Sequence, residues 1–353
     1  ARQLNAPIEG YSKLTPGTIV TQLARICDEL GLPHPMHLHC NNLGAPGNIS
    51  TTLDTLRHLE GSRAHIAHSQ YHAYGGDGWE TICSAAAELA EYFNTHPTIT
   101  TDAGAVLFGD TVTITADGPW QHLLHKLTGR KWGNLDIENE TGCGIVPYTY
   151  RPSNLVNAVQ WACGLELLLL IQNPWQVFLS TDHPNGGCFW RYPEIIKLLM
   201  SRDFRDECLK KLPSKIKNRI TLPEIDREYT LLDVATSMSA GPARALGLAN
   251  KGNLAAGCDA DLVIYEQEDD PAEMFSHPRY VIKGGEVIIE DGEIRETPEG
   301  REYIVRPHYD PGTDDFMRPL FEDCYTMAFD NYPVEMERVR GAIIRDCQTG
   351  EAS

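Results

Sequence analysis

The sequence predicts an α/β fold, part of a (β/α) barrel, followed by a small β domain. Three observations predict it. Short β-forming runs alternate with helical patterns from residue 15 to about 247. Three of those runs end in an ionisable side chain with a turn directly after it: His39, His68 and Asp182. Beyond residue 247 the pattern changes to short strands separated by Gly-centred turns. Parallel strands joined by helices form sheets whose catalytic groups sit at the carboxyl ends of the strands, as in (β/α) barrels. Only three or four core strands fall before residue 200, so the expectation is half a barrel.

Thr15-Pro16 marks a helix start, and Ile19, Leu23, Ile26 and Leu30 recur three or four apart up to Gly31, a stop signal. A strand over Met36–Cys40 follows, then a helix over 50–60 and a strand over Ala64–His68. Glu80–Asn94 has a helical pattern. Residues 97–149 alternate in Thr-rich runs with Gly and Asp between them, which predicts a strand and then an insertion with strands of its own. Helix returns over Asn154–Leu169, followed by a strand at Gln176–Ser180 and helices near 193–210 and 230–247. Residues 1–247 thus form the barrel part, with the insertion at about 97–149. Residues 248–306 form the small β domain, with a hairpin about Gly284-Gly285. The Pro-bearing stretch 307–353 reads as an irregular tail.

Composition narrows the function. The 353 residues carry a net charge of −19, which argues against a nucleic-acid backbone or an anionic membrane as partner. Ten cysteines lie scattered, none in a C-x-x-C pair, which fits reduced thiols in a cytosolic protein. The longest apolar run, Leu165–Ile171, is far too short to span a bilayer, and Ala1–Gly10 lacks the apolar core of a secretory signal. No phosphate-loop, dinucleotide or serine-elbow motif is present. A cytoplasmic enzyme acting on a small molecule is the expectation.

Two histidines and one aspartate at strand ends suggest a metal site that activates water. Taken singly, each has a structural reading: His39 and His68 as hydrogen-bonded strand-end histidines, Asp182 as a turn or cap residue. His37 shares a strand face with His39, so alternation alone does not choose between them. Asn41, in the loop after His39, His72, in the polar aromatic loop after His68, and His183, beside Asp182, are the candidate substrate contacts. Asp259 and Asp261 read as turn-shaping residues.

Leu38-His39-Cys40-Asn41-Asn42, His65-Ile66-Ala67-His68-Ser69 and Ser180-Thr181-Asp182-His183 resemble the strand-5, strand-6 and strand-8 motifs of the amidohydrolase superfamily. Ser239–Leu248, Lys251-Gly252 and Gly257–Val263 resemble its C-terminal signature, which leads into a small composite β-sandwich. The resemblance covers about residues 15–306 and implies a TIM-like metal-dependent hydrolase barrel. His37–Gly44 with Pro46-Gly47-Asn48, and His68–Gly76, are similar more closely to one family within it. That family comprises the amidohydrolase-type subunits of formylmethanofuran dehydrogenases and of formyltransferase/hydrolase complexes. The resemblance implies a zinc centre, dinuclear in the intact subunit, with His39 and His68 as ligands and Asp182 as ligand and proton shuttle. It implies a formylated furan cofactor as substrate, split into formate and free amine, and other subunits of a hetero-oligomeric complex as partners. The family's strand-1 His-x-His and bridging strand-4 Lys find no match, so the chain reads as the C-terminal part, starting after strand 4. Whether the complex is a dehydrogenase or a formyltransferase/hydrolase stays open. So do two other readings: a hydantoinase- or dihydroorotase-like cyclic amidohydrolase, and a non-catalytic scaffold.

Overall fold

The computed structural model describes residues 4–8, 13–115, 144–324, 329–331 and 341–347. Its centre is a parallel sheet of four strands, β1 (Met36–Leu38), β2 (Ala64–Ile66), β5 (Ile99–Asp102) and β8 (Val177–Phe178), adjacent in sequence order. Between β2 and β5 lie two short strands, β3 (Tyr74–Gly75) and β4 (Cys83–Ser84), paired antiparallel. Helices Ile49–Arg57, Ala86–Thr95 and Leu155–Leu170 fall in the connections. This is the half-barrel arrangement the alternation predicts; among the described residues the sheet does not close into a barrel.

The first helix spans Pro16–Glu29. Thr15 caps it through a reciprocal pair: its hydroxyl accepts from the Thr18 amide at 3.1 Å, and its own amide donates to the Thr18 hydroxyl at 2.9 Å. The helix stops before Gly31, which takes φ +62°. Its buried stripe is Gly17, Val20 and Ala24, while Leu23 and Ile26 face solvent. The sequence carries two overlapping apolar stripes, and the one with the smaller residues packs inward, where Gly17 meets the His58 ring.

The expected helix over Glu80–Asn94 begins only at Ala86. Cys83 and Ser84 instead pair with Tyr74 and Gly75 in the two-stranded ribbon. That backbone pairing overrides a helical pattern that runs through residues 80–85. Past β5, β6 (Gly109–Thr115) and β7 (Gly144–Tyr150) pair antiparallel over their full length. The expected insertion therefore has its own strands; its part between residues 116 and 143 lies outside the described residues.

The Leu155–Leu170 helix is buried on nearly every side, as its unbroken apolar character requires. Asn154 caps it by accepting from the amides of Val156 and Asn157. Its one charged residue, Glu166, is fully buried.

A separate antiparallel sheet holds β9 (Leu262–Tyr265), β10 (Pro278–Lys283), β11 (Glu286–Glu290) and β12 (Glu293–Ile294). Gly284 and Gly285, at φ +59° and +89°, turn the β10–β11 hairpin. Lys251 Nζ binds Asp259 at 2.8 Å and Asp261 at 2.6 Å, so both carboxylates fix the turn before β9. The stretch after residue 306 departs from the expected irregular tail. Gly312–Cys324 is a helix, started by Asp310, whose carboxylate accepts from the Gly312 amide at 2.9 Å. β14 (Ile343–Asp346) pairs in parallel with β13 (Tyr303–Arg306). Pro319 sits inside that helix, so proline content is a misleading breaker signal here. Among the described residues no helix is long and apolar enough to cross a membrane.

Candidate active site at the strand ends

The core strands are shorter than their sequence patterns, so each candidate site residue lies in the loop just beyond a strand. His39 follows β1 directly, His68 lies two residues past β2, and Asp182 lies four past β8. Two of them take left-handed backbone conformations, His68 at φ +33° and Asp182 at φ +48°. Such geometry costs on the order of 1–3 kcal/mol per residue and persists where the surroundings impose it. Here they do. Gly104 packs against the His68 backbone, and the Asn185 amide donates to the Asp182 carbonyl at 2.7 Å.

The imidazoles form a continuous row. Ring centroids are 5.4 Å apart for His65 and His37, 5.2 Å for His37 and His39, 4.7 Å for His39 and His68, and 5.3 Å for His68 and His72. Partial burial of the ring, then the neighbouring His68 and His37, lower the pKa of His39, although the residue is exposed overall. Burial, then His65, lowers that of His37. His72 is fully buried, and its pKa falls to about 3, first through burial and then through His68 and His39. Both His72 ring nitrogens and His68 Nδ1 lack a hydrogen-bond partner. His37, His39 and His72 are thereby biased toward the neutral, electron-pair-donating form. His72 does not take the loop position open to substrate that its sequence context suggests; it lies behind His68, stacked on it.

Asp182 is half-buried, and burial raises its pKa; Asn185 Nδ2, donating to its Oδ2 at 2.8 Å, opposes the rise. His183 is exposed, accepts from the Phe189 amide at 3.3 Å through Nδ1, and packs edge-on against Phe189 and Trp190. Those two aromatic rings are 56% and 65% exposed, forming an aromatic lip around His183. Asn41, half-buried, lies in the loop after β1.

Two residues outside the sequence-predicted set organise the site. Asp102, the last residue of β5, accepts from the His68 amide and the Ser180 hydroxyl and lies 3.4 Å from His65 Nε2. Burial alone would raise its pKa; the hydrogen bonds from His65, Ser180 and the His68 amide outweigh burial and hold it at about 2. Asn48 donates to the carbonyls of Asn42 and Tyr71 and accepts from the Tyr74 amide, joining the loops after β1 and β2. A sequence signal for Asp102 exists: Thr100-Thr101-Asp102 ends a β-forming run in a carboxylate, the same pattern that marks Asp182. His37, His65, Asp102, Phe178 and Ser180 line a cavity of about 550 Å³.

Among the described residues, no group of three His, Cys, Asp or Glu side chains converges at metal-ligand spacing. The donor chemistry of His39 and His68 nevertheless fits part of a divalent-metal site: adjacent imidazoles, one with an unpartnered buried nitrogen.

Comparison with known proteins places the chain in a family. The model of the Amidohydrolase family matches residues 2–289. The chain is 40% identical to Protein FwdA of Methanocaldococcus jannaschii, over 93% of this chain and 62% of that protein. It is 38% identical to a component of the formyltransferase/hydrolase complex Fhc of Methylorubrum extorquens, over 91% of this chain and 60% of that protein. The chain thus spans about three fifths of the length of these curated relatives. Among solved structures, a chain of the formyltransferase/hydrolase complex (FhcABCD) from Methylorubrum extorquens, crystallised with methylofuran, superimposes with a TM-score of 0.87. Identity there is 36%, with 98% of this chain and 65% of that chain covered.

Proposed function

The chain belongs to the amidohydrolase family, and from that membership we propose that it forms part of a zinc-dependent hydrolase interconverting an N-formylated furan amine with formate and the free amine. It does so within a hetero-oligomeric complex. The observation that carries this reading is the superposition of 98% of the chain on one component of a formyltransferase/hydrolase complex crystallised with methylofuran.

Hydrolysis of a formamide consumes one water and breaks the C–N bond; the formyl carbon leaves as formate and the nitrogen as an amine that gains a proton. His39 and His68 would hold the metal through imidazole nitrogens, with Asp182 as a further ligand. When bound, the ion supplies Lewis acidity that makes water a nucleophile at neutral pH. Asp182 moves the proton. Half-buried just past β8, its carboxylate is placed to take a proton from water and pass it to the departing nitrogen. Asn185 fixes one oxygen of that carboxylate. His183, with Phe189 and Trp190 set edge-to-face around it, offers aromatic ring faces and edges to a furan ring, and Asn41 lies in the loop after β1.

The test is formate release from an N-formyl furan amine by the full-length protein in its complex, with zinc content measured on the same sample. Formate release that is lost with chelation and regained with zinc supports the proposal. Ring opening of hydantoins without formate release overturns the substrate assignment in favour of a cyclic-amide hydrolase. A complex that binds no metal overturns the hydrolase reading in favour of a scaffold.

A further inference from the structure

We propose that Asp102 is the positioning residue of this site: its carboxylate locks the strand end that carries His68 to the strand end that carries Asp182. The inference rests on the reading of His68 and Asp182 as the working groups.

The sheet order places β5 between β2 and β8, so the end of β5 is the one strand end in this sheet that adjoins both. Asp102 occupies it and uses its two oxygens in opposite directions. Oδ1 accepts from the His68 amide at 2.9 Å. Oδ2 accepts from the Ser180 hydroxyl. Ser180 Oγ accepts in turn from the Gly104 amide at 3.0 Å, so the hydroxyl is held at both its donor and its acceptor side. Backbone bonds from Ala103 to the Phe178 carbonyl at 2.9 Å and from Ala105 to the Ser180 carbonyl at 2.7 Å continue the tie beyond β8, two residues short of Asp182. Ladder hydrogen bonds alone do not account for the conformation of His68. At φ +33° its amide donates to the Asp102 carboxylate, and a charged acceptor satisfies it more strongly than a neutral one would. His65 Nε2, 3.4 Å from Oδ1, closes the cluster from β2.

A carboxylate in this position acts through His68 and Asp182 and touches no reacting atom. Its effect is on the separation and orientation of the two groups, to which rates are steep: a displacement of about 1 Å can cost roughly 10²-fold.

The experiment uses the full-length protein in its complex, with Asp102→Ala, Ser180→Ala, the double variant and Asp102→Asn. Formate release is measured beside hydrogen–deuterium exchange of peptides spanning residues 66–72 and 178–186. Asp102→Ala is expected to speed exchange in both peptides and to lower kcat about 10- to 100-fold with KM unchanged. Ser180→Ala should speed exchange in the second peptide alone. The double variant should match Asp102→Ala, because both substitutions cut the same tie. Asp102→Asn keeps an acceptor for the His68 amide and should retain protection of the first peptide with partial recovery of kcat. Unchanged exchange in either peptide in Asp102→Ala, or kcat losses that multiply in the double variant, would overturn the proposal. If Asp102→Ala does not fold, Ser180→Ala and Asp102→Asn carry the same comparison. A wild-type complex that releases no formate removes the deformylase reading, and the exchange pattern alone then decides the role of Asp102.

Discussion

A methyl group on Gly104 would lie 2.5 Å from His68 Cβ and 2.9 Å from its Cα. Real side-chain carbons do not approach that closely, and Gly104 itself takes φ +62°. The glycine therefore serves two ends: it turns the chain after Asp102 and leaves room for the His68 backbone above it. Gly104→Ala brings both a left-handed alanine and an overpacked contact, each on the order of 1–3 kcal/mol. Together they predict a loss of about 2–6 kcal/mol in urea unfolding. Metal content should fall with it, since His68 is displaced directly. A variant with wild-type stability and metal content would show that the loop relaxes freely.

Asp182→Asn leaves the side-chain volume and the Asn185 contact in place while removing the proton-carrying group. Formate release should fall by about 10²- to 10⁴-fold, the usual worth of a general acid–base, with the melting temperature near that of wild type. Full activity in the intact complex would remove Asp182 from the mechanism.

Elements with redundant local signals are legible in the sequence. Thr15, Pro16 and Gly31 bracket the first helix, and the structure ends it within two residues of the stop glycine. The strand-end placement of His39, His68 and Asp182 is readable because an ionisable residue closes each apolar run. What local pattern does not supply is the environment. His72 sits in a polar, aromatic stretch that reads as an open loop, yet long-range packing buries it completely. Two apolar stripes on the first helix are both consistent with a core face, and only the contact at Gly17 chooses between them. Asp102 carries the same signature as Asp182 but does not stand out, because its importance lies in bonds to residues 34 and 78 positions away.

Trp190 is 65% exposed beside His183 and can act only through what it touches from outside. An aromatic contact is worth about 0.5–1.5 kcal/mol beyond its buried area. Trp190→Ala should therefore raise KM for a furan-bearing substrate about 2- to 10-fold at constant kcat. The check is to compare this substrate with a small aliphatic formamide, for which KM should not change. Equal effects on both would place Trp190 in structure rather than in substrate selection.

Glu166 gives the protein a pH-dependent stability that is separate from the site. Its Oε1 accepts from the amides of Thr221 and Leu222 at 2.5 and 2.7 Å, and its Oε2 accepts from the Ser84 hydroxyl. Burial nevertheless raises its pKa, because those bonds only partly offset desolvation of the charge. The folded state then binds this proton more tightly than the unfolded chain, whose Glu titrates near 4.5. By linkage, stability is greatest below that pH and falls as pH rises from about 4.5 through the folded pKa, with a slope of at most about 1.4 kcal/mol per pH unit. Glu166→Gln keeps an acceptor for both amides and a donor for Ser84 while removing the ionisation. Its stability should decline less over that window, as measured by urea unfolding at a series of pH values. Glu166→Ala should be destabilised at every pH, by about 2–4 kcal/mol, since it orphans two buried amides and opens a cavity. Parallel pH profiles for wild type and Glu166→Gln would show that the carboxyl titrates alike in the folded and unfolded chains.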